Sequence, residues 1–351
     1  REDELSELVA DIRENEKPDA VILVSHNGMD VDIKMASRVV GIDAIFGGHT
    51  HDGMPKPIEV KNAGGMTVVT NAGCSGKYIG VLDFDIKDHR VVGYNYKMLP
   101  ILTDFVKPDA AMVSFITKMR NTKYDENVVE ARSSAMSNNM DRLDKTYDEI
   151  LTEKLCKTDQ TLYRRGNFMG TWDQVLVNSL REEHDADFAM SAGVRWGTSV
   201  PAGHDVTMED LMTNTSMTYG ETYVSELKGA QLKDILEGIA ENLFVQDPYL
   251  QSGGDMVRMG GMDYTIDPAA TLGNRISEMK DDEGTTIDPN KSYKVSGWAQ
   301  VGSVGNGRLM WDVAADYLRK QGTLDLKKVN HPTIKGVKTN PGIENYAGKL
   351  I

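Results

Sequence analysis

Gly47-Gly48-His49-Thr50-His51-Asp52 follows the apolar run Ile42-Asp43-Ala44-Ile45-Phe46. A short apolar run closed by glycines reads as a buried strand. The paired glycines let the chain turn sharply after that strand and let its backbone approach whatever lies there. His49 and His51 then flank a single residue at the strand's end. Upstream the design recurs. Ala20-Val21-Ile22-Leu23-Val24 is a second apolar strand, and Ser25-His26-Asn27-Gly28 follows it. Between the two, residues Asp30 to Val40 read as a helix, with Asp30 placed to cap its start and Gly41 past its end. Ahead of them, Leu5, Leu8, Val9 and Ile12 keep helical spacing within residues 3 to 16, and Lys17-Pro18 ends that helix. The order α-β-α-β is the grammar of a layered α/β domain.

In open α/β sheets, ligands bind at the carboxyl ends of strands. Two such ends here carry histidine. Neutral imidazole ligates Zn, Mn and Fe(II), and His26, His49 and His51 can converge in one coordination sphere. A lone histidine would not support this, since a single buried imidazole is usually a hydrogen-bonded core residue. Three of the seven histidines fall at two equivalent positions, which does support it. The alternative is a pair of polar loops capping a sheet.

Further along, Met66 to Thr70 reads as a strand. Leu82, Phe84 and Ile86 alternate with polar residues, as do Val92, Tyr94, Tyr96 and Met98, so the turn Lys87–Arg90 closes an antiparallel hairpin. His89 is a solvent-exposed turn residue on this reading. Val113, Ile116 and Met119 have helical spacing. The expected organisation is residues 1–103 as a first domain, 104–147 as a linker helix region and 148–351 as a second α/β domain. That second domain contains a helix from Thr171 to Glu183 and the strand Asp187–Ser191, which ends in Ala192-Gly193-Val194-Arg195. It continues with an amphipathic helix from Gly229 to Leu243, the glycine-rich loop Ser252 to Gly261, three strands near Tyr264, Arg275 and Tyr293, and a last helix from Val313 to Lys320.

Composition narrows the function. The 351-residue chain has room for two domains, and its net charge of −14 comes with no clustered Lys and Arg, which argues against nucleic acid as a partner. No apolar run reaches the ~18 residues of a membrane-spanning helix. Cys74 and Cys156 are too few for a disulfide framework and read as small buried hydrophobes. The chain opens on Arg1-Glu2-Asp3 inside a helical pattern, so we expect it to be a piece of a longer protein.

Val24-Ser25-His26-Asn27-Gly28, then Gly48-His49-Thr50-His51, then a hairpin, a linker helix and a second α/β domain together resemble the two-domain metallophosphoesterases of the 5′-nucleotidase type. The resemblance implies an α/β (α+β) fold. The C-terminal part of a four-layer α/β/β/α metallophosphoesterase domain would precede a 5′-nucleotidase-type C-terminal domain. It implies a dinuclear centre, with His26 and His49 on one metal and His51 on the other. In the second domain, Ser191-Ala192-Gly193-Val194-Arg195 stands where the family has a glycine-rich turn ending in a substrate-gripping arginine. Thr218-Tyr219-Gly220-Glu221-Thr222 stands at a Pro-Phe-Gly-like turn.

Two departures narrow the branch. Nucleotidases of this type sandwich the base between aromatic rings from two loops. The corresponding stretches here are Gly253-Gly254-Asp255-Met256-Val257-Arg258 and Ser296-Gly297-Trp298-Ala299-Gln300, which leave only Trp298 as a flat face. A loop with a positive tip suits a small anion. With Tyr163-Arg164-Arg165-Gly166-Asn167-Phe168, these stretches resemble the thiosulfohydrolase branch of the bacterial Sox sulfur-oxidation pathway. That branch implies a periplasmic hydrolase with two divalent metal ions, manganese(II). Its substrate is a thiosulfonate held on a cysteine at the flexible arm of a carrier protein, and its product is sulfate. Arg195 and Arg258 become candidates to hold the sulfonate through charge-assisted bonds. Asp255 either orients Arg258 or caps the turn, Tyr219 and Trp298 either wall the entry or pack the core, and Arg164-Arg165 reads foremost as a solvated edge. The alternative function is a 5′-nucleotidase or 2′,3′-cyclic phosphodiesterase on the same scaffold. The family's remaining ligands and its acid/base His-Asp pair match no motif in the chain and are expected upstream of residue 1.

Overall fold

The computed structural model describes residues 2–124, 142, 144–164, 166, 168–194, 196–216, 219–251, 254–300 and 307–336. The chain folds as two compact units, residues 1–108 with 242–254, and residues 109–241 with 255–351.

In the first unit, α1 (Glu2–Asp11) passes into one π-helical turn, Ile12–Glu16, which Lys17 closes in the left-handed conformation at φ 49°. Strand β1 (Ile22–Val24), helix α2 (Met29–Arg38) and strand β2 (Ala44–Gly47) follow as the sequence pattern predicts. The start of α2 differs from expectation. Gly28, at φ 104°, takes the cap position without a side-chain bond, and Asp30 lies inside the first turn. Strands β3 (Ile58–Asn62) and β4 (Gly65–Asn71) complete a sheet of order β1-β2-β4-β3. β1, β2 and β4 are parallel and β3 is antiparallel.

Ile45, Val69, Val39 and Ala36 have no solvent exposure and pack with Val9, Met35 and Ile42 between sheet and helices. Burying each of the larger side chains is worth about 1.5–3 kcal/mol. β1 is the sheet's edge, and its Val24 is 79% exposed. Strands β5 (Tyr78–Lys87) and β6 (Arg90–Pro100) form the expected hairpin, and His89 in its turn is exposed and ion-paired with Asp19.

The second unit begins with α3 (Ala110–Arg120), capped by the Asp109 side chain accepting from the Met112 amide. Residues 125–141 of the expected linker lie outside the described residues. Then come α4 (Tyr147–Leu151), β7 (Lys154–Thr158), α5 (Thr171–His184), β8 (Phe188–Ser191), β9 (Asp205–Thr207), α6 (Met208–Thr215), β10 (Thr222–Lys228) and α7 (Gly229–Phe244). After these, β11 (Arg258–Gly260), β12 (Met262–Ile266), β13 (Ile276–Asp281), β14 (Ser292–Trp298) and α8 (Met310–Gln321) complete the main layers.

The main sheet has the order β10-β14-β8-β11. α5 packs on it through Trp172, Val175, Leu176 and Leu180, all without exposure. α6 starts from a capping box in which Thr207 accepts from the Asp210 amide and Asp210 accepts from the Thr207 amide. Neither cysteine is bridged; Cys156 is buried and Cys74 half-buried.

Candidate functional site

Parallel pairing of β1 with β2 sets the histidines side by side. Val24 lies opposite Phe46, and the Ser25 amide donates to the Phe46 carbonyl at 2.9 Å. His26 therefore leaves its strand beside Gly47-Gly48-His49. Nδ1 of His49 and Nε2 of His26 are 3.4 Å apart, with the rings edge-on at 5.0 Å. Gly48 permits this approach, since a Cβ there would sit 3.1 Å from the His26 ring nitrogen. His51 follows a tight turn in which its amide donates to the Gly48 carbonyl at 2.8 Å, and its own φ is 56°.

A buried acid lies behind this edge. The Ser25 hydroxyl donates to Asp32 at 2.5 Å, and Asn27 donates to Ser25 Oγ from both its amide and its side chain. Asp32 has no exposure, and its second oxygen has no hydrogen-bond partner among the described residues. Burial raises its carboxyl above the usual range, against the opposing hydrogen bond from Ser25 and the charge of His26.

The donors fit a cation in part. Two nitrogens each ~2.0–2.1 Å from one tetrahedral ion lie roughly 3.3 Å apart, close to the spacing of His26 and His49. Among the described residues, no group of three or more His, Cys, Asp or Glu side chains is arranged to hold a metal. The chain brings the imidazoles of His26 and His49 together at this edge.

The same edge opens on a cavity of about 840 Å³ lined by His26, His49, Leu5, Val31, Met35 and Tyr249, among others. Sequence reasoning did not find Tyr249. It reaches the first unit because residues 242–254 return to it. Lys34 lies 4.0 Å from its ring centre and ion-pairs with Asp247, whose carboxylate accepts the Tyr249 amide. Burial, then the hydrogen bond to Glu2, push its phenol up to about 12, so it is a donor at neutral pH.

The second unit places the predicted anion-binding residues differently from expectation. Arg258 is not a loop tip. It opens strand β11, pairs with Ser191 and is fully buried. Arg164 is not a solvated edge either; it too is buried. Asp255 does orient Arg258, with Oδ2 at 3.2 Å from Nη2. Trp298 packs in the core at 3% exposure, its indole N–H donating to Ser191 Oγ at 2.8 Å. Tyr219 is half-buried, ahead of Gly220, where a Cβ would meet the Trp311 ring at 2.7 Å. Arg195 and Arg165 lie outside the described residues.

Residues 153–312 match the family described as 5′-nucleotidase, C-terminal domain. The buried arginines and Trp298 fall inside this 5′-nucleotidase C-terminal domain match, and the histidines precede it. Over 96% of this chain, the structure superimposes on the sulfate thiohydrolase SoxB of Thermus thermophilus, with a TM-score of 0.80 and 30% identity, and covers 58% of that protein. A 5′-nucleotidase precursor, also from Thermus thermophilus, shares the fold at a TM-score of 0.72 and 18% identity, over 95% of this chain and 67% of that one. The trifunctional nucleotide phosphoesterase YfkN of Bacillus subtilis is 27% identical over 84% of this chain, which spans 19% of that relative. The fold class is thus mixed α/β, as the motifs imply, with residues 153–312 matching the 5′-nucleotidase C-terminal domain family, and the named relatives are hydrolases. Among the described residues, no helix is long and apolar enough to cross a membrane.

Proposed function

We propose that this chain is the greater part of a metal-dependent sulfohydrolase. Its substrate is a thiosulfonate carried on the cysteine of a carrier protein's flexible arm. Water oxygen joins the terminal sulfone sulfur, the sulfur–sulfur bond breaks, its electron pair leaves on the carrier's sulfur, and sulfate is released. The likeness to SoxB carries this reading, at 30% identity over 96% of the chain. The burial of Trp298 supports it. The flat face that a nucleotide base would need from that stretch is buried in the core, and the indole N–H at its edge is spent on Ser191.

His26 and His49, with His51, would hold part of a pair of manganese(II) ions. A bound divalent ion supplies Lewis-acid polarisation and a water of lowered pKa. The protein's own contribution on this side is a fixed pair of imidazoles at a cavity that Tyr249 also lines. On this proposal the remaining ligands and the acid/base pair are not among the described residues, and the enzyme is periplasmic.

A second reading has its own support. The match to YfkN, a nucleotide phosphoesterase, favours a 5′-nucleotidase or 2′,3′-cyclic phosphodiesterase. The manganese-loaded longer protein should release sulfate from a carrier-bound thiosulfonate faster than phosphate from a nucleoside monophosphate. The opposite ranking selects the second reading.

A further inference from the structure

The first turn of α5 holds a carboxylate between two guanidinium groups. Asp173 Oδ1 accepts from Arg164 Nε at 2.9 Å, and Asp173 Oδ2 lies 3.4 Å from Arg258 Nε. All three side chains are without exposure. A buried guanidinium needs a paired charge and full use of its donors. Asp173 supplies a charge to both and Asp255 a second one to Arg258, and the helix N-terminus favours a carboxylate at Asp173.

The outer N–H groups of both arginines end on the backbone of separate segments. Arg164 donates to the Asn214 carbonyl at 2.5 Å and to the Ala192 carbonyl at 2.9 Å. Arg258 donates to the Met256 carbonyl at 2.9 Å and the Gly166 carbonyl at 2.7 Å. The guanidinium fork is rigid and planar, so the Arg164 Nε bond to Asp173 fixes the direction of both its outer nitrogens, while Arg258 meets Asp173 through a 3.4 Å charge contact rather than a hydrogen bond and is also held by Asp255. Backbone packing makes the arrangement tight. A Cβ on Gly193 would lie 2.5 Å from the Met256 carbonyl, and one on Gly170 would lie 2.4 Å from the Tyr163 carbonyl and 3.0 Å from Asp173 Oδ2.

We propose that Asp173 is a positioning residue, a buried carboxylate that aims the Arg164 fork and, together with Asp255, holds Arg258, and thereby sets the relative places of the segments at Gly166, Ala192, Asn214 and Met256. An ion pair that served stability alone would not need its donors spread over four segments. The inference rests on the proposed function only for the substrate used in the turnover assay.

The test uses the full-length protein with Asp173→Asn and Asp173→Glu. By amide hydrogen exchange, Asp173→Asn should cost the amides of residues 192–194, 214–216 and 255–257 about tenfold in protection while Leu232 to Ala240 of α7 keep theirs. Asp173→Glu should restore part of the loss. Uniform loss that includes α7, or unchanged exchange, overturns the proposal. If Asp173→Asn does not fold, Arg164→Lys decides. It should release 192–194 and 214–216 and leave 255–257 protected, and an unselective or absent change overturns it. In turnover of the carrier-bound thiosulfonate, Asp173→Glu should raise KM about tenfold with kcat within about threefold. An inactive parent enzyme refutes the proposed function, and the exchange pattern still decides on Asp173.

Discussion

Gly47 has no room for a side chain because the Asp32 carboxylate fills the space. A Cβ there would lie 2.7 Å from Asp32 Oδ2. The backbone at Gly47 is not in the left-handed region, so the restriction is one of space and not of φ. Gly47→Ala should destabilise the chain by about 1–3 kcal/mol through overpacking. With Asp32→Ala in the same chain, that cost should largely vanish, giving a coupling of about 1–3 kcal/mol in the double-mutant cycle. Urea midpoints measure it, and additive effects would refute the steric argument.

Glu237 ties the start of β13 to α7. It is 3% exposed, and its carboxylate accepts the amides of Gly273 at 2.8 Å, Arg275 at 3.2 Å and Ile276 at 2.8 Å, as well as Lys233 at 3.0 Å. Burial alone would raise its carboxyl, but these donors hold it below the ordinary glutamate value. A depressed acid contributes stability above its unfolded pKa of about 4.3 and loses it as pH falls through the lower folded value. Glu237→Gln should therefore cost about 1–3 kcal/mol at pH 7. The gap to the parent should narrow as pH drops below about 4. Denaturant titrations at pH 7 and in mild acid would show it, and a gap that widens in acid would reverse the assignment.

Trp298→Phe removes the indole donor to Ser191 and should cost about 1–2 kcal/mol, while Trp298→Ala should cost about 3–5 kcal/mol through the cavity it leaves. Neither change acts through base stacking. Trp298→Phe should leave the KM of any residual nucleoside monophosphate turnover unchanged, and a rise in that KM would return Trp298 to the substrate.

Because no group of three or more His, Cys, Asp or Glu side chains is arranged to hold a metal among the described residues, the isolated chain should bind manganese weakly and show no hydrolase activity. Titration calorimetry checks this. His26→Ala with His49→Ala should abolish the residual heat, and tight binding of two ions per chain would contradict the reading.

Local patterns carried much of the fold. The alternation in β5 and β6, the apolar runs of β1 and β2, and the helical spacing of α5 and α7 depend on neighbours a few residues away, and each element stands where its pattern predicts. The pairing of His26 with His49 was legible for the same reason, since both follow strands of one local β-α-β unit. β3, β7 and β11 were missed. They are three to five residues long, and their burial comes from distant partners.

The sequence by itself determined that this is a layered α/β chain with histidines at adjacent strand ends, because strand and helix periods are short-range properties of the side chains. Only the tertiary structure decided what the charged and aromatic residues do. Arg164 reads as a solvated edge and Arg258 as the tip of an anion-binding loop until Asp173 is seen between them, and Trp298 reads equally as an entry wall or a core residue until its burial and its bond to Ser191 place it in the core. Whether a guanidinium faces solvent or the interior depends on whether a distant part of the chain offers a compensating charge, and that is settled by packing rather than by spacing.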